Sequence, residues 1–355
     1  MNCLKRLFYV MAIMALSAAG ATAQYATTHA KAAMPGQQKG IYYALPRTVI
    51  RLDFIIEETQ LIEGPYSEYV SYIGADDFVV EDANEYRIVD VKMSTYAEAD
   101  PNATFFVAMV GKKAEANQFF LTPQGILQGV GIQGPALKEP TADLVLEQPA
   151  TSVDPSFKYQ YSPVGMKSEE QMARAAADMI NTIREEKIKL VTGFQETAFT
   201  ADTYRQMFAD LDAMENDYLS LFIGKKIVSR MVKSVYVTPS KEVTLQTVAK
   251  FSKYDGFTPG TSGTGAPITV QTLSLMTTSS INQPSPSAVE TLAHENKLFY
   301  RIPESANIRV NVGDEVVCER REIIAQLGVF MLAPLGKTAL GVDPNTGQIT
   351  SMSME

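Results

Sequence analysis

Two histidines, His29 and His294, and two cysteines, Cys3 and Cys318, are all that 355 residues offer for imidazole or thiol chemistry. A Ser-His-Asp triad or a zinc site would have to be built around His294, because His29 falls in a polar stretch that reads as a flexible leader. Neither H-E-x-x-H nor G-x-S-x-G occurs. His294-Glu295 therefore reads as a solvated loop. Cys318, inside Val316-Val317-Cys318, reads as a small buried hydrophobe.

Gly260-Thr261-Ser262-Gly263-Thr264-Gly265 has the glycines of a phosphate loop but lacks the Lys-Ser/Thr ending, and no helical pattern follows, so it reads as a flexible loop. Asp76, Asp77, Glu81, Asp82 and Glu85 lack the alternating ligands and central glycine of a calcium loop and read as a solvated acidic face. Tyr66, Tyr69 and Tyr72 fall on one side of a short helix, near Tyr42 and Tyr43 in sequence. Packing is the plain reading of these rings; exposed, they would grip a sugar ring or a peptide. Carboxylates are numerous enough for a glycosidase pair, whose separation no spacing in the chain defines. No catalytic, cofactor-binding or metal-ligating residue is assigned.

The elements that would position any site divide the chain in two. From Ser168 to Phe222 the pattern is helical. Met172, Ala176, Met179, Ile183 and Leu190 share one face, with Ser168 and Gln171 spaced as a capping box and Gly193 as the stop. Tyr204, Met207, Leu211, Met214, Tyr218 and Leu221 follow at heptad spacing, from a cap at Thr200 or Asp202 to Gly224. Two antiparallel helices packed on each other and on a sheet are expected; a projecting arm that binds a partner is the sharper reading.

On either side the period is two. Ile50, Leu52, Phe54 and Ile56 predict a half-buried strand, as do Val89, Val91 and Met93, then Val243 and Leu245, then Ile308, Val310 and Val312. Hairpins are expected across Thr122-Pro123-Gln124-Gly125 and across Asp343-Pro344-Asn345-Thr346-Gly347. Both turns run from proline to glycine into an apolar strand, a hint that the halves share one plan. Residues 134–163 are proline-rich and predict a linker laid across the surface.

Lys5 and Arg6, the apolar run Leu7 to Leu16 and Ala21-Thr22-Ala23 form the three regions of a signal peptide, with Gln24 first in the mature chain. No cysteine follows the expected cleavage site directly, which argues against a lipid anchor, and no later run has the ~18 apolar residues of a membrane span. The formal charge of −9 has no basic clusters to offset it, which argues against nucleic acid as a partner. One cysteine, Cys318, remains after cleavage, so an exported chain would fold without an internal disulfide.

Tyr42 to Thr48, then Glu63-Gly64-Pro65-Tyr66, Tyr69 and Tyr72-Ile73-Gly74, with Arg184 to Gly193, Leu221 to Lys225 and the Asp343 to Gly347 turn, resemble an uncharacterised exported family of the Bacteroidetes. The resemblance implies export and a domain of unknown function, and adds no chemistry. The expected fold is α+β. Residues 1–23 are a signal peptide and 24–40 a flexible leader; two β-rich sandwich- or barrel-like domains, 41–165 and 225–355, are bridged by a long antiparallel helical hairpin, 166–224. The expected role is non-catalytic binding or assembly in the periplasm or at the outer membrane of a Gram-negative cell, with an envelope protein or a glycan as partner. The alternative is a carboxylate-based hydrolase acting on envelope or dietary polymer.

Overall fold

The computed structural model describes residues 24–33, 39–110, 118–146, 154–159, 168–192, 200–240, 242–336 and 338–354. The expected signal peptide and the helix-closing Gly193 lie outside the described residues. The strands are β1 (Tyr25–His29), β2 (Gly40–Ile62), β3 (Ala83–Met109), β4 (Phe119–Leu121), β5 (Leu127–Val130), β6 (Lys225–Val237) and β7 (Val243–Ser252). They continue with β8 (Gly256–Pro259), β9 (Ala266–Ser274), β10 (His294–Glu295), β11 (Lys297–Val312), β12 (Glu315–Pro334), β13 (Thr338–Val342) and β14 (Ile349–Met354). The helices are α1 (Glu169–Thr192), α2 (Ala201–Ile223) and the short α3 (Pro286–Thr291), with a 3-10 turn at Ser67–Tyr72.

Three sheets result, in the orders β10-β1-β3-β2-β6, β12-β11-β9-β7-β8 and β14-β13-β5-β4. The expectation of two separate β domains is corrected by this order. The first and third sheets each mix strands from before and after the helices, because β6 satisfies the open edge of β2 and β13 that of β5. The helices therefore do not bridge two independent bodies.

The flexible leader is corrected as well. Tyr25 to His29 is a strand with neighbours on both sides, β3 and β10. Tyr25 is buried edge-on to Phe119, and the Thr27 hydroxyl donates to the Lys297 carbonyl. Small and polar side chains suit a strand squeezed between two others, and for that reason the stretch does not read as one.

Between the first two sheets, Ile50, Leu52, Phe54 and Ile56 of β2 meet Ile268, Val270, Ile308, Val310 and Ile324 in one apolar layer. The inward set of β2 is the one predicted, but the half-buried strand is corrected: Arg51, Asp53 and Ile55 on its other face are buried as well, while Val243 and Leu245 of β7 face outward. At the other end Phe105 stacks on Tyr43 and on Phe299, with centroids 5.5 and 4.5 Å away. The Tyr43 hydroxyl both accepts from the Phe299 N–H and donates to its carbonyl. A buried phenol is thereby fully satisfied, and burial pushes its pKa well up.

The helices form as the periodicity predicts. Thr200 caps α2 by accepting from the Thr203 N–H, Ser168 accepts from the Gln171 N–H, and Gly224 follows α2 at φ 76°. They run antiparallel, since Arg184 and Lys187 both reach Glu215 and Lys187 also reaches Asp212. Their apolar base, Ala173, Ala177, Ile180, Leu221 and Phe222, rests on Tyr66 and the following 3-10 turn, and no strand residue joins that cluster. The expected packing on a sheet is therefore replaced by packing on this turn and on the 154–159 segment, through Phe157 and through Tyr159 stacked on Tyr218.

A repeated plan underlies both halves. In the first, Ala44 is opposite Thr104 and Pro46 opposite Ala99, so Asp100 to Ala103 bulge out of β3 across from Leu45. In the second, Ile302 is opposite Val329 and Glu304 opposite Ile324, so residues 325–328 bulge out of β12 across from Pro303. Proline has no N–H to give a ladder, and bulges form where pairing is interrupted. A hairpin follows each pair of long strands, β4-β5 and β13-β14, and its turn glycine, Gly125 or Gly347, sits at φ 80°. Each glycine carbonyl accepts a main-chain N–H from just before the bulge, Ala44 in one half and Arg301 in the other, both at 2.9 Å.

Candidate functional site

The two bulges face a common cavity of about 360 Å³. Asp100 and Asn102 come from the β3 bulge and Gln326 from the β12 bulge, while Arg47, Arg301 and Phe330 come from the strands beside them. Thr238, Pro239 and Ser240, directly after β6, close one side. No local sequence pattern marks this site, since its members are drawn from across nearly three hundred residues.

Several of these groups serve to hold the others. The Gln326 amide accepts from the Thr48 N–H and donates to the Thr48 and Pro239 carbonyls, which ties the 238–240 segment to β2. His29 Nε2 donates to the Asn102 carbonyl at 3.0 Å while its Nδ1 accepts from the Lys31 N–H. That arrangement fixes the neutral Nε2–H tautomer. Both nitrogens of this imidazole are engaged with main chain, so it braces the bulge.

The charges are paired across the repeat. Arg301, 3 % exposed, donates through Nη2 to Asp100 Oδ2 at 3.1 Å and through Nη1 to the Pro46 carbonyl. Its guanidinium carbon lies 4.8 Å from the Phe330 ring centre. Asp100 Oδ1 accepts from the Asn102 N–H. Burial pulls the Arg301 pKa down, and Asp100 opposes that pull. The half-exposed Arg47 donates to Glu98 Oε2 at 2.9 Å, and Glu98 also accepts from the Tyr96 hydroxyl.

The buried pair stands where the halves differ. Strand register matches Arg301, opposite Phe330, with Tyr43, opposite Phe105. Where the first half has an aromatic stack, the second has a cation–π contact. The same register matches Asp100 with Ala325. A repeat kept for stability alone would have no need of a charge at either place, since an apolar pair of similar volume is commonly as stable as a buried ion pair.

The residues singled out by type go elsewhere. His294 is in strand β10, half-buried, with Nε2 donating to the Ala288 carbonyl and its ring edge-on to Phe299. The expected solvated loop is thereby corrected: pairing with Thr27 of β1 holds it. Cys318, partly buried beside the second core layer, has its thiol pushed up by burial. The 260–265 glycines make a turn in which Thr264 donates to Asp255. The acidic face disperses, with Asp77 on Lys226, Glu85 on Lys253 and Asp82 accepting from the Glu63 N–H.

The tyrosines brace the helices. Tyr66 packs on Phe222, and the Tyr72 hydroxyl donates to Glu170 with Arg174 over its ring. A smaller apolar hollow of about 170 Å³ lies beside them, between Tyr66, Tyr159, Met172, Met179 and Tyr218. The surface linker is partly described. Thr141 and Asp143 accept from the buried Arg51, and Asn345 accepts from the Lys138 N–H.

Strand-rich architecture, a repeated bulge and an ion-paired cavity define a β-sheet protein with a preformed polar pocket. The chain belongs to the family described as Domain of unknown function (DUF4831), whose model matches residues 39–349. No curated protein and no solved structure matches it. Among the described residues no helix is long and apolar enough to cross a membrane.

Proposed function

We propose that the chain is an exported, non-catalytic binding protein of a Gram-negative cell envelope, of the Bacteroidetes type, and that the cavity between the bulges holds the component it binds. The observation that carries this reading is the state of the cavity's charged groups. In the lining Asp100 has both oxygens engaged; outside it, Glu98 is engaged by Arg47 and Tyr96, and His29, bonded to the Asn102 carbonyl, has neither nitrogen free. Such a wall is preorganised to recognise hydrogen-bonding groups and offers no acid or base to a reacting bond. The hydrolase alternative would need Glu98 and Asp100 released from their guanidinium partners.

Export is supported by Lys5-Arg6, the apolar run and Ala21-Thr22-Ala23. Gln24, first after the expected cleavage, places its main-chain N–H on Asn296 Oδ1 at 2.8 Å, one residue before β1. Fractionation of expressing cells with sequencing of the protein's N-terminus tests the reading. A chain that starts at Gln24 and sediments with the envelope supports it. An uncleaved chain in the cytosol refutes it.

A further inference from the structure

We infer that the cavity between the bulges takes a carboxylate, presented by an acidic sugar of the uronate kind. The inference rests on the binding role proposed above and specifies its ligand. The ground is a surplus of donors. Each guanidinium carries five N–H groups. Among the described residues Arg301 finds acceptors for two, the Pro46 carbonyl and Asp100, and Arg47 finds one, Glu98. Among the described residues Nε of both arginines has no acceptor, and it is closed to solvent, so a ligand would meet these arginines through their Nη groups. With three of their ten N–H groups paired, the two guanidiniums bring more donors to the cavity than acceptors.

Charge points the same way. Two cations and one anion line the wall, and the second anion, Glu98, is paired to Arg47 but is not part of the lining, in a protein whose formal charge is −9. The anion, Asp100, is already engaged at both oxygens by Arg301 and the Asn102 N–H. A carboxylate brings about four acceptor sites and one negative charge, which meets both deficits, and planar guanidinium groups are the side chains best shaped to receive it.

The remaining lining favours a sugar as the bearer. Thr238 and Ser240 offer exposed hydroxyls, Asn102 an exposed amide, and Phe330 a partly exposed ring. Hydroxyls and an amide match ring hydroxyls, and an aromatic face matches the apolar face of a pyranose. A volume of about 360 Å³ suits one sugar unit of a longer chain.

The test compares methyl β-D-glucuronide with methyl β-D-glucoside, which differ only in a carboxylate against a hydroxymethyl group, by NMR titration of the mature chain. The glucuronide is expected to bind about tenfold or more tightly, the effect of a hydrogen bond to a charged group. Arg301→Met is expected to abolish the preference. Arg47→Gln, at a half-exposed position that the fold tolerates, is expected to reduce it with the unfolding midpoint unchanged. Equal binding of the two glycosides overturns the carboxylate assignment and leaves the cavity a binding site. No shift of cavity resonances with either glycoside overturns the assignment and the binding role together. Tighter binding of a peptide with a free C-terminal carboxylate overturns the sugar as bearer.

Discussion

Replacing Asp100 by alanine is the perturbation that most sharply separates a buried charge from an exposed one in this protein. Arg301 is 3 % exposed and would keep only the Pro46 carbonyl and the Phe330 ring as partners. Removing one member of a buried pair typically costs about 3–5 kcal/mol, because the remaining charge is left uncompensated in low dielectric. The Asn102 N–H also loses its acceptor, but Asn102 is exposed and water replaces it at little cost. Arg47→Ala is the control. Its pair with Glu98 has side chains 34 and 41 % exposed and is worth about 0–1 kcal/mol. Urea unfolding followed by circular dichroism reads both, with a lowered midpoint at constant slope for Asp100→Ala and almost none for Arg47→Ala. The double variant Asp100→Ala/Arg301→Met should recover much of the loss, since no charge is then stranded. A cost for Asp100→Ala no larger than that for Arg47→Ala would refute the reasoning.

Gly125→Ala should cost about 1–2 kcal/mol for the left-handed conformation alone, as nothing lies within 4 Å of its new methyl group. Gly347→Ala, at the same φ, would also press on Arg301 Cβ at 3.0 Å and Pro46 Cδ at 3.1 Å, so it should cost more and weaken ligand binding; thermal unfolding of the two variants compares them. Burial raises the Glu304 carboxyl, but four hydrogen bonds from Thr277 and Thr278 outweigh it and hold the pKa at about 2. A depressed folded pKa contributes stability above the unfolded value of 4.5 that is lost as pH falls toward about 2. Stability should therefore drop by at most about 3 kcal/mol across that window, and Glu304→Gln should flatten the profile, as measured by urea unfolding at several pH values. Asn345→Ala frees the Lys138 N–H and the Ala136 carbonyl. It should speed tryptic cleavage after Lys138 about fivefold without moving the global unfolding midpoint, the effect of one lost hydrogen bond.

The helix pair was legible because three-four periodicity, a threonine cap and a terminal glycine are all local signals. The long strands were legible through their period of two, as along Ile50 to Ile56, where Arg51 and Asp53 alternate with the apolar set although both faces are covered. β1 was not, because Tyr25-Ala26-Thr27-Thr28-His29 has neighbours on both sides and small polar residues instead of an apolar stripe. The interleaving of the halves was hidden for a related reason: strand pairing over more than a hundred residues leaves no trace in local composition. Arg301 and Asp100 lie 201 residues apart, and each looks like an ordinary strand residue. The likeness of Tyr42-Tyr43-Ala44-Leu45-Pro46 to Phe299-Tyr300-Arg301-Ile302-Pro303 does not point to them either, because the ladder register offsets the two prolines by one residue and matches Arg301 with Tyr43 instead of Ala44.

Under the proposed binding role the cavity is the surface that meets the partner and the exposed face of the helices is its rival, and photo-cross-linking in intact cells distinguishes them. Benzoylphenylalanine in place of Ser240 reports at the cavity rim, and in place of Arg205 it reports on exposed α2. The expected result is capture of an envelope component from position 240, weakened when Arg47→Gln is added, with none from position 205. Capture from position 205 alone, or capture from position 240 that ignores Arg47→Gln, would contradict the assignment of the cavity as the binding site.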